Sequence, residues 1–250
     1  MNEFRTSAND CPFRDLDDQP EIHRCAFREP HRIGTLLADG SADPNLPAAG
    51  GARPLHMAAA SPEPKAADAI AALLAANADP AAVDAAGATP AFWAARWGTI
   101  ETLAALQAGS EAGSRTDELG RGIGHWFAMG SPEYGAYIDD YLADECGIPF
   151  SGEDSNGWAP IHWAAAVGGR TAALVKRVDG AALARDAAGW PPVFHVALGG
   201  GSFEALADLV AAGADPEAAA GSRKAADFAN SPERWREAIA GYRRQDPEGP

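Results

Sequence analysis

The residues best equipped for chemistry in this 250-residue chain are six histidines, three cysteines and a run of acids between positions 139 and 145. Imidazole and thiolate are preferred zinc ligands, so Cys11, His23, Cys25 and His31 could in principle gather such an ion. Structural zinc sites pair their ligands as C-x-x-C or H-x₃₋₅-H, and these four follow neither spacing. No metal and no cofactor is therefore expected. Asp139, Asp140, Asp144 and Glu145 could hold a divalent cation through carboxylate oxygens. They stand beside Tyr134, Tyr137, Ile138, Tyr141 and Leu142 at helical spacing. That spacing predicts an amphipathic helix with a tyrosine-rich packed face and acids turned to water. Rings left outside the packing would make this stretch a second contact surface.

Two glycine clusters resemble phosphate loops and are incomplete. Gly199-Gly200-Gly201-Ser202 lacks the Gly-Lys-Ser/Thr that neutralises phosphates, and Gly120-x-Gly122-x-Gly124 places His125 where G-x-G-x-x-G needs its third glycine. There is no G-x-S-x-G elbow, no H-E-x-x-H and no H-x-E with a P-C-x-x-C partner. These absences point away from an enzyme, and no catalytic residue is assigned.

The histidines have another explanation in the elements that carry them. Gly51, Gly87, Gly120, Gly157, Gly189 and Gly221 open six similar segments spaced by 36, 33, 37, 32 and 32 residues. They read GARPLHMAAA, GATPAFWAAR, GRGIGHWFAM, GWAPIHWAAA, GWPPVFHVAL and GSRKAADFAN. His56, His125 and His162 share one register, and His195 falls one residue later. Asp84, Asp117, Asp154 and Asp186 each precede a segment glycine by three, which is turn chemistry. Thr89-Pro90 can start a helix, with the hydroxyl as cap, and Pro54, Pro160 and Pro192 hold the same place elsewhere. Ala58-Ala59, Ala94-Ala95 and Ala164-Ala165 then provide a small face for close packing. A second helix follows, with Ile70, Leu73 and Leu74 or Leu206, Leu209 and Val210 at amphipathic spacing. Ala-Asp-Pro at 42–44, 78–80 and 214–216 ends it.

A period near 33, a T-P-L-H-x-A-A type core and a G-A-D-P ending together resemble ankyrin repeats over roughly residues 31–229. The closest copies are Gly51 to Met57 and Gly157 to Trp163, whereas the third segment has Gly122-Ile123 in place of Thr-Pro. The resemblance implies an all-α solenoid of about five to six helix-turn-helix repeats with short hairpin fingers and a concave face. It also implies that His56, His125 and His162 brace the hairpins structurally.

Residues 1–30 are expected to form a tail and partial cap, 31–229 the repeat array, and 230–250 a capping helix and tail ending in a disordered QDPEGP. In the C-terminal helix Trp235, Ile239 and Tyr242 share one face. Insertions at 61–65 and 131–156 interrupt the period.

Charge narrows the partners. Thirty-five acids against twenty bases leave a net charge of −15, which repels nucleic acid and acidic membranes. No apolar run approaches the roughly 18 residues of a membrane span, and MNEFRTSANDCPFRD does not resemble a signal peptide. A cytoplasmic, monomeric protein is expected. The 58 alanines and the arginine bias match a GC-rich bacterial genome.

In a stack of this type the residues after each opening glycine lie on fingers, and those ending the first helix lie on the concave wall. Finger positions are Ala52, Ala88, Arg121, Trp158 and Trp190. Trp, Tyr and Arg dominate binding hot spots, so Trp158 and Trp190 are the expected anchors, with Trp97, Arg96, Arg121, Met129, Val167 and Leu198 beside them. The alternative is that both rings are buried between repeats. Trp93, Trp126 and Trp163 read as core. The expected function is non-enzymatic binding of another protein through the concave face, as inhibitor or scaffold. The charge favours a basic partner, and one specific version is an immunity protein covering a basic toxin. The competing classes are an accessory factor that delivers something to an enzyme, and an enzyme or metal protein built on the irregular third segment.

Overall fold

The computed structural model describes residues 16–107, 115–133, 137–200, 202–229 and 231–245, with side chains as far as residue 240. Expectations for Cys11, Tyr134, the side chain of Tyr242, the first fifteen residues and the DPEGP end lie outside the described residues.

The segments fold as helix pairs. The first helices are α1 (Glu21–Arg28), α3 (Pro54–Ala59), α5 (Pro90–Trp97), α7 (Ile123–Ala128), α9 (Pro160–Val167) and α11 (Pro192–Gly199). Their partners are α2 (Ile33–Ala38), α4 (Ala66–Ala75), α6 (Ile100–Ala105), α8 (Ile138–Asp140), α10 (Thr171–Arg177) and α12 (Phe203–Ala211), and α13 (Pro232–Gln245) closes the chain. Each first helix packs on the next to form one layer, while α2, α4 and α6, and then α10 and α12, form a second. In the region expected to be a tail and partial cap, α1 packs on α3 as α3 packs on α5. The two-stranded hairpin β1 (Ala219–Ala220) and β2 (Arg223–Lys224) forms the last finger.

Small side chains make the close stacking possible. Ala58, Ala59, Ala94, Ala95, Ala164 and Ala165 are completely buried, as are Ile70, Leu73, Leu206 and Leu209 on the second helices. At Gly169 the backbone comes so near the Ala128 carbonyl that a Cβ would collide with it. Fingertips are laced together by backbone bonds: Ala85 N–H donates to Gly50 O at 2.8 Å, Glu118 N–H to Ala86 O at 3.1 Å, and Ser155 N–H to Leu119 O at 2.9 Å. Trp235 and Ile239 turn the inner face of α13 onto the array and are buried.

Two local expectations are corrected. The Thr89 hydroxyl caps nothing; it is buried beside Pro90, and the proline supplies the helix start. The tyrosine-rich helix of the third segment shrinks to the single turn α8, which continues as a π-turn over Tyr141–Glu145. Ile138 and Leu142 are buried there, but Tyr137 is 70% exposed. Its φ of 66° is left-handed, at the start of the turn.

Candidate functional site

Four of the fingers are each built around an aspartate, Asp84, Asp117, Asp154 or Asp186. Asp154 Oδ1 accepts from the N–H groups of Asn156 (2.8 Å) and Trp158 (2.9 Å), and its Oδ2 accepts from Trp163 Nε1 at 2.8 Å. Asp84 binds Ala86, Ala88 and Trp93 in the same way, and Asp117 binds Leu119, Arg121 and Trp126. A buried indole N–H needs an acceptor, and the turn carboxylate provides it. In the fifth segment the residue nine after Asp186 is His195, whose Nε2 lies 3.2 Å from Asp186 Oδ2. His195 thus takes the tryptophan's place, and Phe194 stands in the histidine register. The nine-residue Asp-to-Trp interval is present in the sequence three times and was the available signal for this bracing.

Two of the recurrent histidines, His56 and His125, join one repeat to the next. His56 Nδ1 accepts from Arg53 N–H at 3.1 Å and its Nε2 bonds Ala88 O at 3.1 Å. His125 links Gly122 N–H (3.2 Å) to Trp158 O (2.9 Å), and His162 Nδ1 accepts from Ala159 N–H at 3.0 Å. His23 Nε2 lies 3.3 Å from Ala52 O, which repeats the pattern on α1. Burial holds all of these imidazoles below their usual pKa, His56 at about 4. With Nδ1 taking a backbone N–H, the neutral ring carries its proton on Nε2, so His56, His125 and His162 present no lone pair to a metal. Among the described residues no three His, Cys, Asp or Glu side chains form a metal-binding group. Cys25 is buried on α1, where burial raises its thiol pKa.

Three acids of the third segment are committed as well, while Glu145 faces water as expected. Arg177 on α10 reaches back to Asp139 (3.3 Å), Asp140 and Asp144 (3.0 Å). These carboxylates bind the next repeat instead of simply facing water.

The predicted contact residues fall into two groups. Trp158 and Trp190 are half-buried, between the two alternatives. Trp158 packs 5.1 Å from Trp163 and edge-on to His195 at 4.2 Å, and Trp190 packs 5.6 Å from Phe194 and 5.4 Å from Phe228. Ala52 and Ala88 in the same register are buried, so this position fills the gap between fingers. Arg121 is pinned by Asp117 Oδ2 at 2.7 Å, with its guanidinium 5.3 Å from the Trp126 ring and 4.8 Å from the Trp163 ring. Arg96 and Met129 are buried within the wall, Arg96 over Trp97 at 4.5 Å and Met129 with its Sδ 3.9 Å from Arg121 Nη1. Trp97 meets Trp93 at 5.5 Å and Trp126 at 6.0 Å and remains half-exposed. Val167 is half-buried and Leu198 is 42% exposed, at the ends of the adjacent helices α9 and α11. The structure thus joins Arg96, Trp97, Arg121 and Met129 through Trp126 and Trp163, with Val167 and Leu198 further along the same row of helix ends.

No helix among the described residues is long and apolar enough to cross a membrane. No protein-family model matches the chain. No curated protein matches it either. Among solved structures it is similar to the human ASB11 ankyrin repeat domain, with a TM-score of 0.61 and 20% identity over 88% of this chain and 96% of that one. Repeating helix pairs, aspartate-braced fingers and that likeness together give the conclusion that this chain has the ankyrin repeat fold.

Proposed function

We propose that the protein is a non-enzymatic binding module that engages a partner protein through its concave face and acts by occlusion or scaffolding. The observation that carries this reading is the row of apolar side chains left partly open along the ends of the first helices: Trp97, Val167 and Leu198, flanked by the fingers that hold Arg121, Trp158 and Trp190. Half-buried rings held by neighbours lose little further freedom on binding, which favours them as anchors. The residues that could do chemistry support the same reading, because Asp84, Asp117 and Asp154 are spent on backbone and indole bonds and His56 and His125 on backbone bonds. A net charge of −15 favours a basic partner, and neutralising a basic toxin is one specific form of the proposal.

The structure selects the variants that test it. Trp158→Ala would open a gap between fingers, whereas Val167→Glu and Leu198→Glu alter the surface with little loss of packing. Affinity capture from the native host is expected to enrich a partner on the wild type and lose it on the Val167→Glu/Leu198→Glu double variant. Retention by that variant, with loss on Leu183→Glu among the outer loops, would overturn the proposal.

A further inference from the structure

In a repeat stack each unit ordinarily touches only its neighbours, so coupling passes from one interface to the next. Arg170 departs from this. It follows Gly168-Gly169 at the bend between α9 and α10, is 4% exposed, and its guanidinium crosses two repeat boundaries. Nη1 donates to Ala95 O at 2.6 Å and to Phe127 O at 3.2 Å, Nη2 donates to Arg96 O at 3.3 Å, and Nε donates to Ser131 O at 3.1 Å.

Those acceptors have a common character. Ala95 and Arg96 are in the last turn of α5 and Phe127 in the last turn of α7, where carbonyls lack intrahelical donors and carry the negative end of the helix dipole; Phe127 O shares its second acceptor position with the Gly130 N–H at 3.0 Å. One planar group with five N–H donors can close several of them at once, which an ammonium cannot do in the same geometry. The Phe127 ring lies 4.7 Å from Cζ and covers one face of the guanidinium. Gly130 leaves the space, since a Cβ there would stand 2.6 Å from Cζ. Burial lowers the Arg170 pKa to about 10, so the cation persists at neutral pH.

We infer that Arg170 is a staple that couples the second segment directly to the fourth, so that α5, α7 and α9 open as one cooperative unit. The C-terminal turns of α5 and α7, which lead to Trp97 and Met129, are thereby held in fixed register. This inference stands on the geometry of the stack and is independent of whether the concave face binds a partner.

Native-state hydrogen exchange on the full chain, read across a urea series, tests it. In the wild type the amides of α5, α7 and α9 are expected to share one opening free energy and one urea dependence. Arg170→Met is expected to separate them, with α5 amides exchanging at least about tenfold faster than those of α9, a difference of about 1.4 kcal/mol. Arg170→Lys, which keeps the charge without the fork, is expected to separate them in the same order and serves if the methionine variant does not fold. Leu174→Ala removes buried packing from α10 and leaves the carbonyl bonds; it is expected to lower stability while the three helices still open together. Independent opening of α5 and α9 in the wild type would overturn the inference. So would common opening in both Arg170 variants, or a comparable separation in Leu174→Ala.

Discussion

Asp154 shows how one side chain fixes a finger, because its two oxygens satisfy two turn N–H groups and a buried indole. Removing it leaves those donors without acceptors in a site where Asp154 itself is 7% exposed. Asp154→Ala is expected to destabilise the chain by about 2–4 kcal/mol in urea unfolding, reflecting several unmade bonds at once. The buried histidines give stability a pH dependence whose sign follows from their lowered pKa values. Between pH 6.5 and about 4 the unfolded chain protonates at His56 while the folded chain does not, so protons favour unfolding. Unfolding free energy is therefore expected to fall as pH drops through this window. His56→Gln should flatten the slope by up to about 1.4 kcal/mol per pH unit, read from urea midpoints across a pH series. His56, His125 and His162 were legible from their shared register. The exchange of tryptophan for His195 beside Asp186 was not, because a one-residue offset reads as drift until the carboxylate is seen to select position rather than residue type.

At the scale of elements, the helix pairs follow from local signals: proline starts, paired alanines and Ala-Asp-Pro ends. The third segment escaped them. Its tyrosines have helical spacing, yet along the turn of 138–145 it is Ile138 and Leu142 that are buried, and Arg177 draws three of the acids across from the next repeat. A period seen along one chain segment cannot report a charge supplied thirty-odd residues later. Glycines differ in the same non-local way. Gly34 lies within α2 with open space around its missing Cβ, so Gly34→Ala should raise stability by about 0.5–1 kcal/mol through helix propensity. Gly169→Ala meets the Ala128 carbonyl and must push two repeats apart; thermal unfolding should show a clear loss of several degrees, against a gain for Gly34→Ala.

For the whole molecule, a period near 33 was enough to establish the architecture, since every interface repeats the same solution. What the period could not show is how much of the expected contact surface the stack consumes. Arg96 and Met129 went into the wall, and Trp158 and Trp190 are shared between their neighbours and solvent. The remaining surface is apolar in a chain of net charge −15, so capture of a basic partner should weaken as salt rises from about 0.05 to 0.5 M while the apolar anchors keep some binding. The most direct measurement of the central claim is hydrogen exchange on the complex with the captured partner. Concave binding predicts new protection in the fingers and the C-terminal turns of α5, α7, α9 and α11, with α4, α6, α10 and α12 unchanged. Protection confined to those second helices, or to the exposed Tyr137 region, would contradict it.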